Sequence, residues 1–99
     1  MSRNGNHKAD AIAELRRSVQ ALEADLASIL KNLHTTAASA EALESEAMDA
    51  VHRGDDAAAR SALVRREPLA ARCEELEADA HVIRAMLAEC AAVLDDSAT

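Results

Sequence analysis

The sequence predicts an all-α fold: a long antiparallel two-helix coiled-coil hairpin, with its turn at Arg53–Asp56 and a kink near Pro68. Three observations predict it. Turn-forming residues are scarce, with Gly 2 and Pro 1 in 99 residues, so the chain has few places to reverse. Apolar residues recur at alternating steps of three and four along most of its length. The two stripes they form fit each other in one register, and that register is centred on Gly54.

Met1–Lys8 is polar, contains Gly5 and has no apolar period. It is expected to be a disordered tail. A first helix is expected over about 9–52. Its seam starts with Ile12, Leu15, Val19, Leu22, Leu26, Ile29 and Leu33. It continues through Thr36, Ala40, Leu43, Ala47 and Ala50. Thr36 is the one polar residue there, and its hydroxyl can bond back to the preceding turn.

The pattern then stops. Gly54 can enter the left-handed conformation that ends a helix, because it has no Cβ to clash. Asp55 and Asp56 follow as N-cap and first-turn residues, since carboxylates accept the free N–H groups of a helix start. A second helix is expected over about 56–94, making 9–94 one helical hairpin domain. Its seam is Ala59, Ala62, Arg66, Leu69, Cys73 and Leu76, then Ala80, Ile83, Leu87, Cys90 and Leu94. The residues 95–99 are expected to be a second disordered tail.

In an antiparallel pair, facing residue numbers add to a constant. Leu15 with Leu94, Leu22 with Leu87, Leu33 with Leu76 and Ala50 with Ala59 all give the same value, whose midpoint lies between Gly54 and Asp55. Caps and seam thus agree independently. Leucine and isoleucine layers dominate the open end and alanine layers the turn end. Arg66 is expected to lay its stem over Leu43 and reach Glu44 or Glu46. Pro68 costs a helix interior about 3 kcal/mol. The apolar phase passes through it unchanged, so a kink is expected rather than a break. A hinge this short also permits a swapped dimer that exchanges helices.

Composition excludes several functions. With no Phe, Tyr or Trp there are no stacking platforms for bases, sugars or flat cofactors. A net charge of −7 disfavours nucleic acid and anionic lipid. No apolar run reaches the length of a membrane span, and Met1–Lys8 lacks a signal-peptide core, so a cytoplasmic location is expected. Cys73 and Cys90 lie roughly 25 Å apart on one helix, too far to bridge, and read as small apolar seam residues. His7, His34, His52 and His81 do not converge. There is no metal-binding, thiol-redox or phosphate-loop motif. Neither enzyme activity, nor a cofactor, nor a metal is expected.

Two surfaces remain. Glu41, Glu44, Glu46 and Asp49 are acidic on helix one, and Arg53, Arg60, Arg65, Arg66 and Arg72 are basic on and after the turn. These groups can neutralise each other across the hairpin. Arg53, Arg60 and Arg65 are the candidate partner-binding tip. Off the seam lie Leu30, Val51, Leu63, Val64, Val82, Met86 and Val93. Among these, Leu30, Val82, Met86 and Val93 are the candidate oligomer contacts, through which hairpins could pack into a bundle.

The stretch Ala47–Leu69 resembles the hairpin turn of the phage-shock protein A (PspA) family. That pattern is an alanine-rich helix end, a short basic-acidic turn, then Ala-Arg-x-Ala-Leu and a leucine six residues on. Here it is Ala47, Ala50, Arg53-Gly54-Asp55-Asp56, Ala59-Arg60-Ser61-Ala62-Leu63 and Leu69. The resemblance implies a long antiparallel hairpin that self-assembles in membrane or envelope stress, and whose members can restrain an ATPase activator. The lipid-contacting N-terminal amphipathic helix of that family has no counterpart in Met1–Lys8, so direct membrane binding is not expected. The expected function is a non-enzymatic, self-associating interaction protein with itself or another helical protein as partner. The alternative is a small coiled-coil adaptor or inhibitor of an ATPase or transcription regulator.

Overall fold

The computed structural model describes Arg3–Ala98, with side-chain burial for 7–97. Two helices account for it, α1 over Arg3–His52 and α2 over Asp56–Ala98, and no strand occurs among the described residues. The all-α, two-helix architecture is therefore the one the heptads predict. Both helices overrun the expected limits, so Arg3–Lys8 and Asp95–Ala98 are helical where the sequence predicts tails. The reason is that little opposes continuation. Gly5 costs about 1 kcal/mol in a helix, and neither Gly nor Pro follows Leu94. The expected disorder of Met1, Ser2 and Thr99 lies outside the described residues.

The connection is built from its caps. Gly54 has φ 74°. Its N–H donates to the Val51 carbonyl at 2.9 Å, and the Asp55 N–H donates to the Ala50 carbonyl at 2.8 Å. That pair of bonds is the Schellman arrangement, which satisfies the Ala50 and Val51 carbonyls at the end of α1. Asp55 then changes role. Its carboxylate accepts from the Ala58 N–H at 3.0 Å, and its carbonyl accepts from the Ala59 N–H at 3.1 Å. One residue thus closes α1 and caps α2.

Burial follows the predicted seam. Among the described side chains, every one that is not fully exposed is a seam residue, apart from Ala37, Ala58, Ala70 and Ser97. No polar or charged side chain is buried among them. Thr36 is half-buried on the seam but makes no back-bond. Thr35 and Ser39 do, to the carbonyls of Lys31 and Thr35. α2 runs helical through Pro68, which has no N–H to give the Val64 carbonyl.

The chain divides into two units. The turn-proximal unit is Ile29–Asp79 and holds most of the core. Ala40, Ala47, Ala50, Ala59, Ala62 and Leu76 are buried there, Ala50 and Ala62 completely. Arg65 with Glu46 and Arg66 with Glu44 bridge the helices, the number falling on α1 as it rises on α2, as a hairpin requires. The terminal unit runs up to Ser28 and again from Ala80. Ala80 is its one buried described residue; Leu15, Leu22, Leu26, Ile83, Leu87 and Leu94 are half-buried.

Candidate functional site

The turn fixes what the tip presents. Arg53 precedes Gly54, and its backbone N–H is spent on the Asp49 carbonyl. Its side chain is exposed, as is Arg60 on the first turns of α2. Neither pairs with a carboxylate among the described residues.

Arg65 differs. Its Nη2 donates to Glu46 Oε1 at 3.0 Å and its Nε to the Ser61 carbonyl at 3.4 Å. The three arginines singled out by sequence are therefore split, one engaged across the hairpin and two free to meet a partner. Arg66 reaches Glu44, as its seam position predicts, and Arg72 pairs with Glu75 on its own helix. All three ion pairs are well exposed to water, so each contributes at most about 1 kcal/mol. Their role is to set which charges are left over. Of the acidic patch on α1, Glu41 and Asp49 pair with no cation among the described residues.

The candidate oligomer contacts are all exposed. Leu30 belongs to the turn-proximal unit. Val82, Met86 and Val93 belong to the terminal unit, on one face of α2 at helical spacing. The turn-proximal unit has its own exposed apolar group: Met48, Val51, Leu63 and Val64, at 48–63% exposure. Met48 was not singled out by sequence. The signal was available: it lies one turn before Val51 and off the seam. A shallow open depression beside it is lined by Glu41, Glu44, Ser45, Met48 and Asp49.

No group of three or more His, Cys, Asp or Glu able to hold a metal occurs among the described residues. Cys73 and Cys90 are free thiols, half-buried on the seam. Among the described residues, no helix is long and apolar enough to cross a membrane.

The fold and surfaces define the class as a helical hairpin with exposed apolar flanks. No protein-family model matches the chain, and no curated protein and no solved structure matches it either.

Proposed function

We propose that the chain is a non-enzymatic, PspA-like helical-hairpin protein that associates with copies of itself and works by protein contacts in the cytoplasm, in an envelope or membrane stress response. Full antiparallel pairing along the seam, with a bend at Pro68, belongs to the same proposal. One observation carries it. The seam takes almost all the burial, yet eight large apolar side chains stand exposed off it. Grouped on helix faces, such residues are what a further helix covers. The net charge of −7 favours protein over anionic lipid or nucleic acid as the partner.

Self-association is tested by co-expressing tagged and untagged copies. The untagged chain is expected to co-purify with the tagged one, and its consistent absence contradicts the proposal. Binding to anionic vesicles is expected to be absent; co-sedimentation with them would replace protein contact by lipid contact as the primary activity.

A second reading is favoured by the free guanidinium groups of Arg53 and Arg60. In it, the tip docks an acidic surface on an ATPase or transcription regulator, which the hairpin restrains. Reversing the charge of Arg53, Arg60 and Arg65 together is then expected to abolish capture of that partner. Capture that persists removes the tip from the contact.

A further inference from the structure

We propose that the terminal unit opens and closes by itself: its α1 and α2 arms part together in one step, while the turn-proximal unit stays paired. Opening needs no second copy of the chain. It follows from how unevenly the two helices are held together along their length.

The turn-proximal unit is held in three ways. Ala40, Ala47, Ala50, Ala59, Ala62 and Leu76 are buried. Arg65–Glu46 and Arg66–Glu44 tie α1 to α2. The turn joins the helices covalently, fixed by its Schellman bonds and the Asp55 cap. The terminal unit is held by much less. Ala80 is its one buried described residue, and Leu15, Leu22 and Leu26 on α1 and Ile83, Leu87 and Leu94 on α2 are only half-buried. Asp96 apart, no ion pair between described residues joins its arms. The chain connects those arms only through the turn-proximal unit.

A half-buried side chain gains only part of the transfer free energy of full burial. Segments with few buried contacts open locally, at a free energy below that of global unfolding. Cooperativity comes from the helices themselves. An arm without its partner loses the packing that supplies most helical stability in proteins. Loss of one layer therefore weakens the next, and the arms part as a unit instead of fraying inward. Opening lays bare the whole Leu and Ile stripe of each arm, which the closed unit shows only at its edges.

The chain carries its own probes. Cys73 and Cys90 are both free, both half-buried and both on the α2 seam, and they fall in different units. Alkylation of the full chain by N-ethylmaleimide, followed by peptide mass spectrometry, reads each thiol separately. Dividing each rate by that of the same thiol in the urea-unfolded chain removes differences in intrinsic reactivity. Cys90 is expected to be at least about tenfold less protected than Cys73. Leu26→Ala, on the opposite helix of the terminal unit, is expected to speed Cys90 about tenfold further and to leave Cys73 within about twofold. Equal protection of the two thiols overturns the proposal. So does a fast Cys90 that is indifferent to Leu26→Ala, which marks edge exposure or end fraying. Equal acceleration of both thiols by Leu26→Ala overturns it as well, because the hairpin is then one cooperative unit.

Discussion

The turn-proximal and terminal units use the same heptad pattern and bury it to different depths. Near the turn the layers are mostly alanine, and Ala40, Ala47, Ala50, Ala59 and Ala62 are all buried. In the terminal unit the layers are Leu, Ile, Val and Cys, and nearly all stay half-exposed. More apolar side chain does not give more complete burial here. A methyl group vanishes between two close backbones. Most seam leucines stay partly in water, Leu33, Leu43 and Leu69 of the turn-proximal unit included, and Leu76 is the one that is buried. The turn-proximal unit therefore holds the closed alanine layers, stapled by the Schellman turn and by Arg65–Glu46 and Arg66–Glu44. The terminal unit holds a core that a further helix could still complete.

The comparison is broken most sharply by burying a charge in each unit. Leu76, at 2% exposure, is the one large side chain of the buried core. Leu76→Asp is expected to destabilise by about 3–5 kcal/mol, because the carboxylate has neither water nor a cation. Leu26→Asp in the terminal unit should cost distinctly less, since that position is already half in water. Thermal melts followed by circular dichroism give both values. Equal losses would erase the distinction between the units.

Overpacking sharpens the same contrast. Ala62 is completely buried. Ala62→Leu should separate the backbones and cost about 1–3 kcal/mol despite adding apolar area. A stabilised variant would mean that the alanine layers are looser than their burial indicates. Pro68→Ala is expected to raise the melting temperature, because it restores the bond to the Val64 carbonyl and removes a ring clash worth up to about 3 kcal/mol. A fall would assign Pro68 a packing role. The smallest of these effects is Gly54→Ala, expected to cost about 1 kcal/mol. A Cβ there meets nothing within 4 Å, so the whole cost is the left-handed backbone at φ 74°.

What the sequence made legible, and what it hid, follows from the range of the forces. The seam was legible because it repeats over many turns of each helix, and one misplaced residue does not disturb it. The turn was legible because Gly54 and Asp55 satisfy backbone groups within five residues of themselves. The division of the arginines was less so. Arg65 is engaged and Arg60 is free because of which flank each occupies and which glutamate faces it, a property of the paired helices. Met48 was legible as an off-seam residue one turn before Val51, but not its surroundings. It sits amid Glu41, Glu44 and Asp49, and only the solid shape of α1 shows it beside a depression. The start of α1 at Arg3 rather than near 9 was hidden because polar residues permit a helix without announcing one.

The central claim is that the flanks left bare by the two-helix seam are covered by further copies of the chain. Sedimentation equilibrium of the wild-type protein over a range of concentrations tests it most directly. The account predicts a mass that is an integer multiple of 10.5 kDa and falls towards the monomer on dilution. A monomer mass at every concentration would contradict it.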